Sequence, residues 1–149
     1  MWPVKVSVVT TVYELEQCFA IRKQVFVQEQ QVPEELEMDE YDASPEAAVH
    51  VLAVSEGEPV GTGRFKAYDE STAKLQRIAV LGSKRGAGFG RLVIEALENE
   101  AKSRGFAACV LDAQVQAEGF YKRLGYETVS SETFLDAGIP HVRMMKKLG

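Results

Sequence analysis

The stretch Arg85-Gly86-Ala87-Gly88-Phe89-Gly90-Arg91 lies between an apolar run ending at Val80 and a segment with a different hydrophobic period. Before it, apolar residues alternate. After it, Phe89, Leu92, Val93, Ala96, Leu97 and Ala101 recur at the 3.6-residue spacing of one helix face, and Gly105 marks the stop. The stretch is therefore read as a strand-to-helix loop. Its alternate glycines let the main chain approach an anion closely, while the first N–H groups of the helix point outward without intrahelical partners. Helix N-termini of this kind favour phosphate. Lys84, Arg85 and Arg91 add three cations, which suit a pyrophosphate better than a lone carboxylate. The spacing is neither the Walker G-x-x-x-x-G-K-[ST] nor G-x-G-x-x-G. The plainer alternative is a flexible turn before an ordinary helix.

Working outward, Trp2 to Val9 alternates as a strand, and Thr11 and Glu14 have capping-box spacing before a helical stripe of Leu15, Cys18, Phe19, Val25 and Phe26. Gln30 to Glu46 is polar, acidic and proline-punctuated. It reads as a loop with room for a short helix, and its length suggests a functional cover. Val49–Val54, Val60–Tyr68 and Lys74–Val80 read as three antiparallel strands, the first two joined by a hairpin turn at Ser55 to Pro59. Beyond the central helix come a strand over Phe106–Ala113, a two-turn helix over Ala117–Leu124 capped by Gly125, and strands over Tyr126–Val129 and His141–Lys146. Gly138-Ile139-Pro140 reads as the turn before the last strand. The order β-α-loop-β-β-β-α-β-α-β-β predicts a mixed sheet with helices on its faces.

A chain of 149 residues is the size of one domain, and 1–149 is read as a single unit. Its 46% apolar and 26% charged content fits an ordinary globular chain. The net charge of −5 argues against nucleic-acid binding driven by phosphate neutralisation. That charge is unevenly spread. Gln24 to Gly63 holds ten acids and no Lys or Arg, leaving 12 acids against all 17 basic residues elsewhere. The two cysteines, Cys18 and Cys109, suggest neither a disulfide framework nor a metal site, and fit a reducing compartment. No signal segment or run of roughly 20 apolar residues is seen, so no membrane partner is expected and a cytoplasmic location is. There is no G-x-S-x-G elbow, and two histidines without carboxylate spacing make no metal motif.

Arg85, Gly88 and Gly90 match the signature of the GNAT superfamily of acetyl-CoA-dependent N-acetyltransferases, which the sequence resembles: Arg or Gln, two residues, Gly, one residue, then Gly or Ala. Leu75 to Val80 looks like that family's fourth strand, and Ala117 to Tyr126 is similar to its A-x-x-F-Y-x-x-x-G-[FY] segment. Val25 to Pro33 and Gly138 to Met144 resemble its small bacterial YjcF-like and ElaA-like branch. The resemblance implies an α/β (α+β) fold: a mixed, mainly antiparallel sheet of about six to seven strands, helices on both faces, and a splay between the fourth and fifth strands.

By the same resemblance, acetyl-CoA is the cosubstrate and no metal is needed. The backbone of Ile78, Ala79 and Val80 would hold the pantetheine arm, with Ala113 and its neighbours lining the slot beside it. Arg85, Gly86, Ala87, Gly88, Phe89, Gly90 and Arg91 would hold the pyrophosphate. An N–H near Val80 would polarise the thioester carbonyl. Tyr121 matches the general acid, and an ordinary phenol stays protonated at neutral pH; alternatively it only packs beside Phe120. Two positions depart from the family. Gln76 stands where many members carry Glu, and an amide cannot accept a proton, so the base is unassigned. Gln114 stands where many have Asn, and remains a candidate for the cofactor arm.

The acceptor is expected to be a primary amine of a small molecule or peptide, on a monomer or homodimer. The acidic segment would attract a cationic amine, or would merely keep the surface solvated. Glu29, Arg64 and His141 are the individual candidates on that side: Arg64 to clamp a carboxylate or phosphate, His141 to accept a proton. A structural hydrogen bond is the other reading for each, and the expected one for His50. The competing function is a non-catalytic module that binds CoA or acyl-CoA.

Overall fold

The computed structural model describes residues 4–149, so Trp2 and Pro3, which the sequence reading assigns to the first strand, lie outside the described residues. One sheet carries the strands β1 (Val4–Val8), β2 (Val49–Ser55), β3 (Glu58–Ala67), β4 (Thr72–Val80), β5 (Ala108–Gln114), β6 (Glu127–Thr128), β7 (Phe134–Asp136) and β8 (Ile139–Lys147). Its order is β1-β2-β3-β4-β5-β8-β6, with β7 also paired to β8, and only β4 and β5 run parallel. The helices are α1 (Val12–Arg22), α2 (Glu34–Glu37), α3 (Phe89–Ser103) and α4 (Glu118–Arg123).

The alternating pattern of β2 divides the core. Val51 and Ala53 join Val93, Ile94, Leu97 and Ala101 of α3 on one face, while Leu52 joins Leu15, Cys18 and Ile21 of α1 on the other. Helix α3 lies close to β3 because Gly63 has no side chain. A Cβ there would sit 2.9 Å from Leu97 Cδ1 and 3.0 Å from Val93 Cγ1. At the start of α1 the capping box forms as its spacing predicts: the Thr11 hydroxyl accepts from the Glu14 N–H at 3.1 Å, and the Thr11 N–H donates to Glu14 Oε1 at 3.2 Å. Past Arg22 the helix widens into a π-helical stretch, Lys23–Glu29, that delivers the chain to the acidic segment.

The sheet has eight strands among the described residues, against the six to seven expected. The additional one is β7, and the expected turn at Gly138-Ile139-Pro140 is displaced accordingly. The turn residues are Ala137 and Gly138, with φ of 51° and 77°, and Ile139 and Pro140 already pair with Asp136 and Leu135. Two positive-φ residues make the tight hairpin whose twist matches the flanking strands. Phe134-Leu135-Asp136 is too short, and its approach too polar, to stand out as a strand by periodicity.

Candidate functional site: a slot where two parallel strands part

Parallel pairing of β4 and β5 runs from Thr72–Ala108 to Leu75–Leu111 and ends there, although β4 continues to Val80 and β5 to Gln114. The parting has a local cause. Opposite the single Gly63 of β3, β4 places two residues, Arg77 and Ile78, and Arg77 takes a φ of 56°. Such a bulge bends its strand, and the left-handed backbone costs about 1–3 kcal/mol unless the surroundings hold it. Here they do: the Arg77 guanidinium donates to the Glu37 carbonyl at 3.0 Å.

Between the parted strands lies a cavity of about 440 Å³. Gln76, Arg77 and Ile78 form one side; Asp112, Ala113, Gln114 and Tyr121 form the other. Phe26, Val32 and Leu36 line it as well, as do Ile139 and His141. The long polar segment thus covers part of the cavity, through Gln30, Val32, Leu36 and Glu37. From Gln76 onward the cavity side of β4 has no strand partner, which leaves a sheet edge for an extended ligand to complete.

At the continuation of β4 is the glycine loop. Gly86 and Gly88 have φ of 86° and 84°, and Gly88 is the N-cap residue of α3. Among the described residues none of the N–H groups from Gly86 to Arg91 donates to a carbonyl or side chain, and the first helical bond runs from Leu92 N to the Gly88 carbonyl at 3.2 Å. The cations are less free than their number suggests. Arg85 folds back to the Val80 carbonyl (3.1 Å) and to Glu29 (2.8 Å), and Arg91 pairs with Glu95 at 3.2 Å. Lys84 has no ion pair among the described residues. Phe89 contributes its ring to the core, and Gly90 leaves room for Phe120, whose ring edge would lie 3.5 Å from an added Cβ.

Tyr121 sits between Phe120 and Tyr126, with centroid distances of 5.1 and 5.8 Å and edge-on rings. Burial pushes its phenol up to about 12, so it keeps its proton across the whole neutral range. The hydroxyl has no partner among the described residues. Every buried polar side-chain atom there does have one, so this hydroxyl is accessible, on a residue that lines the cavity. Gln114 also faces the cavity, and its amide donates to Gln30 at 2.8 Å.

On the acceptor side the structure redistributes the expected residues. Arg64 does not line the cavity. It is fully buried, and its guanidinium donates to Asp39 (2.8 and 2.7 Å), Asp42 (2.7 Å) and the Gln76 amide oxygen (3.0 Å). Arg22, equally buried, bonds Glu37 at 2.6 Å and the same Asp42 at 2.7 Å. Burial opposes the Asp42 charge, but the hydrogen bond and charge of Arg22, joined by the charge of Arg64, hold its carboxyl well below the usual range. Glu29 reaches Arg85 rather than the cavity wall. His50 is structural as expected: its Nε2 meets the Tyr41 carbonyl at 3.1 Å, and burial pushes its pKa down. Of the acceptor-side candidates, only His141 lines the cavity.

Sequence reasoning missed the buried network of Arg22, Glu37, Asp39, Asp42 and Arg64, and with it Arg77 and Glu37 as cavity residues. One signal was present: Arg22 follows Cys18 and Phe19 at helical spacing and so lies on the apolar face of α1, where a cation needs a partner.

A profile of the GNAT acetyltransferase domain matches residues 9–148. The chain belongs to the GNAT family. Two Bacillus subtilis (strain 168) proteins fit with this: it is 45% identical over 133 residues to the uncharacterized N-acetyltransferase YjcF, covering 89% of this chain and 92% of that one. It is 42% identical over 140 residues to the uncharacterized protein YyaT, covering 94% and 93%. Among solved structures the GNAT fold recurs in Escherichia coli ElaA, with a TM-score of 0.82 at 24% identity over 98% of this chain and 99% of that one. It recurs also in an aminoglycoside 6′-N-acetyltransferase complexed with coenzyme A, with a TM-score of 0.73 at 18% identity over 97% of each chain.

Proposed function

We propose that the chain transfers an acetyl group from acetyl-CoA to a primary amine of a small molecule or peptide, by direct attack while both are bound. The observation that carries this is the continuity of one surface. The unpartnered edge of β4 leads from Gln76 to Val80, and the bare N–H groups of Gly86 to Arg91 follow it directly. A ligand with an extended amide arm and a diphosphate fits both parts. Ile78, Ala79 and Val80 would pair with the arm; Gly86, Ala87, Gly88, Phe89, Gly90 and Arg91 would receive the diphosphate, with Arg85 and Lys84 beside it. Gln114 would bind the arm from β5. That a fold neighbour is complexed with coenzyme A supports coenzyme A as the kind of ligand.

Tyr121 is the general acid in this reading: a protonated phenol, accessible on a residue that lines the cavity and free to donate to the departing sulfur. Acetyl-CoA incubated with a panel of primary amines should release free thiol above background, and Tyr121→Phe should lower kcat about 100-fold with acetyl-CoA affinity retained by calorimetry. Unchanged turnover in that variant would remove Tyr121 from the role.

A second reading has one observation in its favour. Gln76, which stands where many members carry a carboxylate, has its amide oxygen occupied by Arg64 at 3.0 Å, so neither its chemistry nor its position makes it a base. A non-catalytic acyl-CoA-binding module would bind acetyl-CoA and turn over no amine; multiple turnover eliminates it. No helix among the described residues is long and apolar enough to cross a membrane, and the proposed setting is cytoplasmic.

A further inference from the structure

With Gln76 excluded, the acyl-transfer reading leaves the proton of the acceptor ammonium without a destination, and the cavity wall contains few groups that can take it. Gln30 and Gln114 are amides. The Tyr121 phenol is protonated. Glu37 is held by Arg22 at 2.6 Å and approached by Arg77 at 3.8 Å; Asp112 is held by Arg143 at 2.9 Å and Lys74 at 3.3 Å. Asp136 is an exposed carboxylate on the β7–β8 hairpin. His141 is the other candidate, and its surroundings prepare it.

The ring of His141 stacks on Phe134 of β7, with centroids 6.2 Å apart and planes 23° from parallel. Its Nδ1 lies 2.6 Å from the Ile139 carbonyl. A carbonyl only accepts, so Nδ1 carries the hydrogen and the neutral ring has its lone pair on Nε2. The residue is 8% exposed, and Nε2 has no partner among the described residues. No buried side-chain nitrogen there lacks one, so Nε2 is accessible, on a residue that lines the cavity. Across β8 from Phe134, His141 pairs with Gln114 of β5, which places it on the slot itself.

We propose that His141 Nε2 is the general base that deprotonates the acceptor amine. The proposal rests on the acyl-transfer reading above. Nε2 takes one proton from the ammonium and passes it to solvent. The freed nitrogen lone pair forms the C–N bond at the thioester carbonyl carbon. The C–S bond then breaks with its electron pair on sulfur, which takes the Tyr121 phenol proton, and the phenolate recovers the second proton released by nitrogen. The products are the amide, the thiol and one proton in water.

The test compares two acceptors at one neutral pH: an aliphatic amine, present as ammonium, and a weakly basic alkoxyamine, already neutral. His141→Gln should lower kcat for the aliphatic amine about 100-fold, leave acetyl-CoA affinity unchanged by calorimetry, and affect the alkoxyamine far less. Asp136→Asn should keep kcat for both. Should His141→Gln fail to fold, the wild-type protein decides. The chain has two histidines, and His50 is 1% exposed with its Nε2 engaged, so of the two diethyl pyrocarbonate, quenched before the acceptor is added, should modify only His141 and abolish transfer to the aliphatic amine, with activity restored by hydroxylamine. Wild-type kcat in His141→Gln, full activity after modification of His141, equal losses with both acceptors, or loss in Asp136→Asn alone each overturn the proposal while sparing acyl transfer. A wild-type protein that acetylates no amine overturns acyl transfer itself, and the base with it.

Discussion

Along the β4–α3 side of the cavity the backbone N–H groups from Gly86 to Arg91 have no protein partner, whereas the cover and the strands beneath it pair their buried charges completely. Arg22 and Arg64, 1% and 0% exposed, share Asp42 and divide Glu37 and Asp39 between them. Unsatisfied donors at an exposed helix start are tolerable because water can serve them. Unsatisfied charge under a cover is not, because desolvation there costs several kcal/mol per ion. One region therefore leaves its donors open and the other neutralises its own charge. Four of the ten acids between Gln24 and Gly63 are paired with arginines: Glu37, Asp39 and Asp42 turn inward onto Arg22 and Arg64, and Glu29 pairs with Arg85.

The largest effect should come from breaking the neutralised side. Arg64→Met keeps much of the volume but leaves Asp39 and Asp42 short of a cation and the Gln76 oxygen without a donor. Removing one partner of a buried pair costs about 3–5 kcal/mol, read as a lower urea midpoint. Acetyl-CoA affinity, measured on the folded fraction, should hold. A parallel fall in affinity would mean that the two regions are not independent.

Acid should open the same network more gently. Burial works against the charge of Asp39 and of Asp42, but the hydrogen bond and charge of Arg64 lower the Asp39 carboxyl, and the hydrogen bond and charge of Arg22 with the charge of Arg64 lower that of Asp42, below their ordinary range. A depressed folded pKa means that the stabilisation is complete above the unfolded value of about 3.9 and is lost as pH falls through the folded value. The urea midpoint should therefore drop from pH 5 to pH 3, and the drop should shrink in Arg64→Met, where part of the pairing is already gone. An identical drop in both proteins would place the acid sensitivity elsewhere.

These two regions also differed in how far sequence disclosed them. Gly86, Gly88 and Gly90 alternate beside cations at a change of hydrophobic period, so the strand-to-helix loop with its unpartnered N–H groups was readable from neighbours a few residues apart. Thr11 with Glu14 and the Tyr121 segment are local in the same sense. Arg64 binds partners 25 and 22 residues away, Arg22 binds one 20 residues away, and Arg77 reaches a carbonyl 40 residues away. No spacing rule covers such pairs, and Arg64 was accordingly read as a ligand clamp. The bulge at Arg77 was silent because its positive φ falls on a residue type that gives no sign of it, and β7 because a hairpin of three-residue reach leaves no period to detect.

On the receiving side, Gly88→Ala isolates the backbone. A Cβ there would meet nothing within 4 Å, so the cost is conformational: φ of 84° is strained for any L side chain. About 1–2 kcal/mol is expected, seen as lower stability, weaker acetyl-CoA binding, or both if the loop relaxes and its N–H groups turn away. A variant with native stability and affinity would mean that the loop tolerates another conformation and does not need to be held in this one.

The smallest effect tests where one charge belongs. Glu29 was expected on the acceptor side, yet its carboxylate lies 2.8 Å from Arg85, beside the loop proposed to receive the diphosphate. If Arg85 must leave Glu29 to meet that diphosphate, the carboxylate competes with the ligand, and removing its charge should help binding. The pair is about half exposed, at 47% and 40%, and such pairs are worth only about 0.2–1 kcal/mol, so Glu29→Gln should tighten acetyl-CoA by no more than about two- to fivefold. The gain should fade at high salt, where both attraction and competition are screened. A rise in the amine KM with unchanged acetyl-CoA affinity would instead return Glu29 to the acceptor side, and would move the boundary between the two regions to the far side of Arg85.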